Sequence, residues 1–496
     1  MDQVMKDWLQ ESVGKTYGNF IDGRWQESAS KKTYPVFNPG KREQVLGYFP
    51  ASTAEDVEQA VNAAHKAFAA WSKVPGPDRA AILLRFADLL EKYAEEIAYM
   101  LSAEQGKVLA ESRGEVLRAA KEARFAAGEA FRIEGKTLPS ERADVWNAYV
   151  RYPIGVVAAI APWNFPVVTP VRKIAPALAY GCTVVFKPAS VTPWTSVRLI
   201  ELLAEAGVPQ GVVNLVIGSG SRVGDPLVKH PLVRGISFTG SSNLGISIHE
   251  LAAKRLAKTQ LELGGKNPAI VFDYDDAEEV AKQIVNAAFT CSGQRCTSIS
   301  RVIVLKDKAK ELTEAIVSEM RKIKVGPAWD SSATMGPLVS EEQLTSVMQY
   351  IELGQKEGAR LLYGGEMLTH GEYADGYYLS PTFFDQVKPE MSIAREEIFG
   401  PVLTLLAVED EGEALRVANN VAYGLAASIF TKDLSQAYRA VERVESGMVH
   451  VNHGTASQAH MPFGGTKQSG YGAFSIGSTN IEFFTDMKVV YFQYEK

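Results

Sequence analysis

Three features are scarce in this 496-residue chain, and each scarcity excludes a class of protein. The chain has three cysteines, Cys182, Cys291 and Cys296; an odd number without framework spacing predicts a reducing compartment and no structural disulfide. The longest apolar run, residues 154–165, is interrupted by proline and asparagine and is too short to span a bilayer. No long basic run occurs, and the net charge of −6 argues against a nucleic-acid or anionic-membrane partner.

The N-terminal segment MDQVMKDWLQESVG also lacks the apolar core of a signal peptide, because charged or polar residues interrupt every apolar pair. Together with the cysteine usage, this predicts a cytoplasmic protein. Hydrophobic residues make up 46% of the chain and charged residues 22%, which is ordinary for a soluble globular enzyme. The length is enough for more than one large core.

Turn signals and residue periodicity divide the chain into regions. Short strands are predicted over residues 18–50, helices over 53–133 and an aromatic-rich hairpin over 137–153. Between residues 155 and 273 strands alternate with helices, and the predicted strands include 156–160, 183–187 and 268–272. This alternation predicts a parallel sheet with a ligand site at the carboxyl ends of its strands. A second alternation over residues 277–449 predicts a second α/β domain.

The stretch FTCSGQRCTS, residues 289–298, is the strongest candidate for a reactive site. Cys296 follows glycine, glutamine and arginine and precedes two hydroxyl residues. Structural cysteines usually lie among aliphatic residues and stay inert, so we interpret Cys296 as a nucleophile, with a packing role as the alternative. Cys291 matches no motif position and is interpreted as a packing residue or bystander thiol.

A partner for this thiol comes 34 residues earlier, at Glu262. Glu262 lies near the end of the alternating run 259–263 and is followed by Gly264 and Gly265, which predicts a carboxylate at a strand end, on a rim rather than in a core. A thioester formed on Cys296 would have to be attacked by an activated water. A carboxylate in this position can act as the general base.

Two glycine-containing loops could receive a nucleotide phosphate. Residues 217–224 resemble the dinucleotide fingerprint, but the last glycine is one residue late for G-x-G-x-x-G. Residues 238–245 are better placed, because they follow a predicted strand and open a helix whose N–H groups can face a pyrophosphate. The sequence has no second histidine at the zincin spacing after His249-Glu250, no histidine near the two cysteines and no G-x-S-x-G, so we expect neither a metal site nor a serine hydrolase.

Set beside Cys296 and Glu262, the motifs APWNFP, KPAS, FTGS, EEIFGP and PFGGTKQSG resemble those of the NAD(P)-dependent aldehyde dehydrogenase family. The resemblance extends from about Asn19 to Tyr491, with the motifs in family order and spacing. It implies an α/β fold and a homodimer or homotetramer. It also implies three parts: a Rossmann-like cofactor domain of residues 1–133 and 152–261, an α/β catalytic domain of residues 262–455, and a β oligomerisation arm of residues 134–151 and 475–496.

The resemblance carries roles to individual residues. Cys296 matches the thiol that attacks the aldehyde, Glu262 the base for deacylation and Asn164 the amide that holds the thiohemiacetal oxygen; a helix cap ahead of Pro166 is the alternative for Asn164. The cofactor, NADP with NAD possible, is expected to contact Ile160, Pro162, Trp163, Lys187, Ser190, Gly220, Gly224, Phe238, Ser241, Leu263, Glu397 and Phe399. The substrate, a small aldehyde, is expected to contact Phe165, Thr169, Arg172, Arg295, Thr297, Ser457 and Gln458.

Ser190 bears on the choice of cofactor. NAD-preferring members usually carry a glutamate after the K-P-A sequence, where this chain has Ser190. A carboxylate would repel a 2′-phosphate, whereas serine can donate a hydrogen bond to it and Lys187 can pair with it. The resemblance therefore implies NADP.

Arg172 bears on the choice of substrate. Phe165, Thr169 and Arg172 share one face of the predicted helix, and a cation there is costly unless an anion meets it. In having this arginine the chain resembles succinate-semialdehyde and 2-oxoglutarate-semialdehyde dehydrogenases, which implies that the arginine holds the far carboxylate of a short ω-semialdehyde acid. A solvated arginine is the alternative.

Several functions remain open on the sequence. The leading one is oxidation of an aldehyde to its acid through a cysteine thiohemiacetal and thioester, and within it a broad-range aldehyde oxidiser is the alternative to the semialdehyde acid. The CoA-acylating branch is disfavoured because it generally lacks the glutamate at position 262. A non-catalytic scaffold is disfavoured because Cys296, Glu262, Asn164 and Lys187 are all present.

Overall fold

The structure is a computed structural model and describes residues 12–495. Most of the N-terminal segment in which we found no signal peptide therefore lies outside the described residues. No helix in the described part is both long and apolar enough to cross a membrane.

The N-terminal region has strands followed by helices, as predicted. The Asp22-Gly23 turn joins the second and third strands, and α1 begins where the Asp56 carboxylate accepts the Thr53 N–H at 2.8 Å. Strands β1–β5 span Lys15–Thr16, Asn19–Ile21, Arg24–Gln26, Thr33–Asn38 and Lys41–Pro50. Helices α1–α4 span Ala54–Trp71, Gly76–Lys92, Ala94–Gln105 and Leu109–Glu129. The predicted hairpin follows as the antiparallel pair β6, Lys136–Leu138, and β7, Val145–Pro153.

The next region builds the first large sheet. Its strands β8–β12 span Val156–Ile160, Thr183–Lys187, Val213–Leu215, Val233–Thr239 and Lys258–Glu262. Helices α5–α8 span Val168–Ala179, Trp194–Glu205, Asp225–Lys229 and Ser242–Ala253. The five strands run parallel in the order β12-β11-β8-β9-β10, and every residue of β8 and β9 is buried, as in sheets covered on both faces. Their carboxyl ends therefore open at one edge of the sheet.

The second alternation builds a seven-stranded sheet in the order β15-β18-β19-β14-β13-β21-β22. Strands β13–β22 span Asn267–Val271, Ile299–Leu305, Arg360–Tyr363, Met367–Leu368, Tyr378–Leu379, Thr382–Asp385, Val402–Val408, Tyr423–Gly424, Ala426–Phe430 and Met448–Val451. Helices α9–α14 span Ala277–Phe289, Lys306–Met320, Glu341–Lys356, Ser392–Arg395, Glu411–Asn419 and Leu434–Arg443. The predicted strand at 268–272 belongs to this sheet, as β13, although the sequence placed it in the first alternation.

The C-terminal region returns to the earlier parts. Its elements β23, β24, α15 and β25 span Thr466–Lys467, Gly470–Tyr471, Asn480–Phe484 and Thr485–Gln493. Strand β24 pairs with β12 at the edge of the first sheet, opposite Glu262. Strand β25 pairs with β7 along its whole length and completes the three-stranded sheet β25-β7-β6.

Candidate active site

A cavity of about 480 Å³ opens where the two large sheets meet, within the usual volume range of small-molecule sites. The loop after β8 contributes residues 162–165, the loop after β11 contributes Ser241, and the last residue of β12 is Glu262. The segment between α9 and β14 contributes Cys296 from the second domain. The carboxyl end of β12 therefore positions Glu262, as the sequence predicted, whereas Cys296 comes from the segment that precedes β14.

The structure brings most of the predicted site residues to this one cavity. Asn164, Glu262 and Cys296 all line it. The predicted cofactor and substrate contacts that also line it are Pro162, Trp163, Phe165, Thr169, Arg172, Ser241, Leu263, Arg295, Thr297, Glu397, Phe399 and Ser457. The predicted contacts outside its lining are Ile160, Lys187, Ser190, Gly220, Gly224, Phe238 and Gln458.

Packing explains how the structure places four of the predicted positions. Ile160 and Phe238 are buried in the core of the first sheet, so their side chains face other apolar residues and not the cavity. Gln458 is exposed outside the cavity, although its neighbour Ser457 lines it. The expectation of a rim position for Glu262 was wrong: the residue is 4% exposed, because β24 covers that edge of the sheet.

Hydrogen bonds fix the loop that carries Cys296. Asn267 Nδ2 donates to the carbonyl oxygens of Cys296 and Ser298, at 2.7 and 2.9 Å. Cys291 and Ser292 have φ of 57° and 56°, a left-handed conformation that residues with side chains adopt rarely and that clusters at functional sites. The loop is therefore a tightly held turn, with Cys296 at the cavity wall.

Accessibility distinguishes Cys296 from the other two thiols. Cys182 and Cys291 are fully buried, and burial raises the pKa of each. Cys296 is half-buried; burial, followed by the neighbouring Glu262 carboxylate, raises the pKa of its thiol, while Arg172 lowers it. Solvent exposure rather than acidity marks Cys296 as the reactive cysteine, since Cys291 lines the same cavity but is 2% exposed.

Glu262 has the environment of a general base. Burial raises the pKa of its carboxyl, opposed by the charges of Arg172 and Lys173 and by a hydrogen bond with the Cys296 thiol. Its Oε1 has no hydrogen-bond partner within residues 12–495. Burial lowers the pKa of Lys173, whose amine donates to Thr239 Oγ1 at 2.8 Å. A carboxylate with a raised pKa and a free oxygen can take a proton from water near neutral pH.

Asn164 is held beside the nucleophile loop and does not cap a helix. Its Nδ2 donates to the carbonyl oxygen of Gln294 at 2.9 Å, and its own carbonyl accepts the amine of Lys107 at 2.7 Å. The Glu115 carboxylate accepts the backbone N–H groups of residues 167 and 168, at 2.9 and 3.0 Å, and therefore takes the capping position at the start of α5. The helix-cap interpretation of Asn164 is thereby removed.

Arg172 already has an anionic partner inside the protein. Its Nε and Nη2 donate to the Glu122 carboxylate at 3.1 and 2.9 Å, and the Phe463 ring lies 4.6 Å from its guanidinium carbon. The sequence argument left this anion to the substrate, whereas helix α4 supplies it. Arg172 nevertheless lines the cavity, and its Nη1 has no hydrogen-bond partner in the described part of the chain.

Sequence reasoning missed the contribution of α4 and the residues before it. The cavity-lining residues from this region are Lys107, Glu111, Gly114, Glu115 and Arg118. A signal was present, because Glu115 and Glu122 fall in phase with Ser112, Ala119 and Ala126 on the buried face of the helix. Carboxylates on the apolar face of an amphipathic helix are rarely buried without a partner and indicate an internal ion-pair network.

The cofactor-side residues fit a dinucleotide. Lys187 is buried at the end of β9, its pKa is lowered to about 8 by burial alone, and its amine has a backbone carbonyl as its recorded partner. The first turn of α8 begins at Ser241 without a side-chain cap, which leaves N–H groups for a pyrophosphate. A Cβ on Gly264 would lie 2.2 Å from Glu397 Oε2. Position 264 therefore has to be glycine for the Glu397 carboxylate to contact the backbone there.

Comparisons with known proteins agree with this arrangement. Residues 25–490 match the aldehyde dehydrogenase family. The chain is 44% identical over 477 residues to alpha-ketoglutaric semialdehyde dehydrogenase of Bacillus subtilis, covering 96% of this chain and 98% of the relative. It is 40% identical over 481 residues to 2,5-dioxopentanoate dehydrogenase of Saccharolobus solfataricus, covering 96% and 99%.

A solved structure extends the agreement to the fold. Betaine aldehyde dehydrogenase from Staphylococcus aureus, in complex with NAD+, superposes with a TM-score of 0.95 at 34% identity, covering 99% of this chain and 97% of that one. The matched sequence and fold both extend over nearly the whole chain, including the cavity and both large sheets. The chain therefore belongs to the aldehyde dehydrogenase family.

Proposed function

We propose that the protein oxidises a short ω-semialdehyde acid, such as 2-oxoglutarate semialdehyde or succinate semialdehyde, to the corresponding diacid with NADP. The observation that carries the proposal is Arg172, a guanidinium in the wall of the cavity that holds Cys296 and Glu262, with Nη1 still open to an acceptor. Guanidinium binds carboxylate well because the two groups match in charge and geometry. The names of the two relatives support the same substrate class.

In this mechanism the thiol and the oxyanion donors act first. The Cys296 thiol loses its proton to solvent, the thiolate attacks the aldehyde carbon, and negative charge develops on the aldehyde oxygen as its double bond opens. Asn164 Nδ2, which is held at the nucleophile loop, and the Cys296 backbone N–H would stabilise that oxygen; losing one such donor typically costs about 2.7–4 kcal/mol of barrier. Bound NAD(P)+ supplies the hydride acceptor that turns the thiohemiacetal into a thioester.

Glu262 then releases the acid. Its carboxylate takes a proton from water as the water oxygen attacks the thioester carbon, and the Cys296 thiolate leaves. The open Oε1 of Glu262 is available for that water. Water rather than CoA is therefore the acyl acceptor, and turnover without CoA distinguishes this reaction from the CoA-acylating one.

The substrate proposal predicts a charge-dependent effect at Arg172. Loss of one partner from a buried charge pair costs roughly 3–5 kcal/mol, so Arg172→Leu is expected to lower kcat/KM for succinate semialdehyde relative to butyraldehyde by about a hundredfold or more. Butyraldehyde is the control because it has the same chain length without the carboxylate. If the unaltered enzyme prefers butyraldehyde, or the ratio does not change, the protein is a broad-range aldehyde oxidiser.

The preference for NADP is proposed from the absence of a carboxylate at position 190. Ser190 Oγ donates to the Gly218 carbonyl at 3.1 Å, and this bond connects the segment after β9 to the loop of residues 217–224. Ser190→Glu would place a negative charge where a 2′-phosphate is expected, and we expect the NADP-to-NAD ratio of kcat/KM to fall by roughly a hundredfold. Ser190→Ala is the matched control without the charge. An unchanged ratio in the glutamate variant would assign the discrimination to residues 218–224.

We further propose that residues 134–151 and 475–496 form the arm of a homodimer or homotetramer. The sheet β25-β7-β6 carries exposed apolar side chains, among them Trp146, Tyr152, Tyr491 and Phe492. Contiguous exposed apolar surface commonly marks a protein contact. Sedimentation equilibrium tests the proposal, since a monomer at micromolar concentration would contradict it.

We also propose a cytoplasmic location. All three cysteines are free, and the half-buried Cys296 thiol needs a reducing compartment to stay reactive. Cell fractionation with compartment markers tests this.

A further inference from the structure

Arg118 and Arg172 share one carboxylate. Arg118 Nε donates to Glu122 Oε1 at 2.9 Å, and Arg172 binds both oxygens of the same group. The side chains of the three residues are 21%, 9% and 3% exposed, in the order Arg118, Arg172, Glu122. These three side chains together carry one net positive charge at a largely buried place, and Glu262 is the other carboxylate whose charge acts on Arg172.

The other carboxylates on this face of α4 are engaged elsewhere. Glu111 accepts the backbone N–H of Cys291 at 2.9 Å, and Glu115 pairs with Lys107 at 2.7 Å. Within residues 12–495, Glu122 is the carboxylate that pairs with Arg118. A negative group from outside the chain is therefore the natural complement of this cluster.

Arg118 has an unused donor at the cavity wall. Its Nη1 donates to the carbonyl oxygen of Ser457, which also lines the cavity, and Nη2 is buried without a hydrogen-bond partner in the part of the chain that the structure describes. Unpaired buried donors are rare in proteins because burial removes their hydrogen bonds to water. A carboxylate in the cavity would supply the acceptor after a small rotation of the guanidinium.

The two arginines lie at different depths. Both arginines pair with Glu122, and the charges of Glu262 and Cys296 act on Arg172 but are not among those that act on Arg118. Arg118 is also the more exposed of the two and bonds to the Ser457 backbone. From the nucleophile outward, the order is Cys296, Arg172, Arg118.

We propose that Arg118 is a specificity-determining residue that binds the carboxylate of a five-carbon 2-oxo semialdehyde acid. The carboxylate of a four-carbon semialdehyde acid reaches only as far as Arg172 and binds there. The inference rests on the proposed function and adds chain length to it. With the longer substrate, the Arg172 Nη1 is left for the 2-oxo oxygen. The enzyme then favours 2-oxoglutarate semialdehyde over succinate semialdehyde.

The test is the ratio of kcat/KM for 2-oxoglutarate semialdehyde to that for succinate semialdehyde. Arg118→Met is expected to lower this ratio at least about thirtyfold, mainly through KM, because it removes a charge-assisted contact that the shorter acid does not make. Arg118→Lys is expected to recover part of the ratio, because it keeps the charge without the planar fork. Arg113→Met is the matched control: Arg113 lies on the same helix, exposed and paired with Glu95, and the ratio should not change.

An unchanged ratio in Arg118→Met overturns the inference, whether kcat/KM stays the same for both acids or falls equally for both. An equal fall would mean that Arg118 positions Glu122 and Arg172 and does not contact substrate. Labelling of the Cys296 thiol and thermal melting identify any variant that fails to fold. Should the methionine variant fail, competitive inhibition by 2-oxoglutarate and by succinate, compared between the unaltered and lysine enzymes, tests the same point.

Failure of the proposed function is a separate result. If the unaltered enzyme oxidises butyraldehyde better than either acid, the semialdehyde-acid function is wrong regardless of Arg118. If it prefers the acids but the Arg118 variants keep the same length preference, only the inference fails.

Discussion

Replacing Cys296 with alanine is expected to lower aldehyde oxidation on the order of 10⁴-fold or more, because no other group can form the thioester. The other two thiols cannot substitute, since both are fully buried, whereas Cys296 is half-buried at the cavity wall. NAD(P) binding should persist, because Lys187 and Ser190 lie outside the cavity lining that holds Cys296, and their side chains hydrogen-bond to Pro188 and Gly218. NADPH absorbance measures turnover, and nucleotide fluorescence titration measures binding.

Cys291→Ala is the matched control, because it removes a thiol from the same loop and the same cavity wall. Cys291 Sγ has neighbours within the protein, with Gln105 Nε2 at 3.6 Å, so its loss should leave most of the turnover. Near-normal activity of the Cys296 variant would contradict the assignment. Inactivity of the Cys291 variant with normal folding would show that this thiol takes part in the reaction.

Local rules of the sequence predicted most of the fold. The runs at 156–160 and 183–187 match β8 and β9 residue for residue, because a strand buried on both faces reads as an unbroken apolar run bounded by turns. The strand at 268–272 was assigned to the wrong sheet. Its composition fits either sheet, and the choice depends on long-range pairing with β14 and β21, which no local pattern records.

Site residues that belong to a short local motif could be predicted from the sequence. Site residues that are positioned by packing between distant segments could not. Cys296 and Glu262 are each marked by their immediate neighbours, and the structure places both on one cavity. Lys107, Glu115 and Arg118 have no such mark, because they act through contacts with α5 and with the loops 164–165 and 455–458, distant in sequence. Glu122 illustrates this limit. Nothing near Arg172 in the sequence indicates its contact with Glu122, so the sequence alone assigns the anionic partner of Arg172 to the substrate.

The substitution Glu262→Gln is expected to separate the two halves of the reaction. Glutamine cannot accept a proton from water, so deacylation and steady turnover should fall about 10²–10⁴-fold. Formation of the thioester should persist. The negative charge of Glu262 is one of the causes that raise the pKa of Cys296, so removing that charge favours the Cys296 thiolate. Stopped-flow NADPH absorbance should therefore show a burst close to one equivalent per active site, followed by a slow steady phase.

The pH dependence of steady turnover also tests the role of Glu262 as general base, and the burial of Glu262 determines the direction of that dependence. Burial raises the Glu262 pKa, and the base works only when deprotonated, so steady turnover of the unaltered enzyme should rise with pH through a midpoint above that of an ordinary glutamate. That limb should be absent from the glutamine variant. Glu250→Gln makes the same chemical change on an exposed carboxylate of α8 and should leave both burst and pH profile intact. Loss of the burst together with turnover in Glu262→Gln would instead make Glu262 the base that activates the thiol.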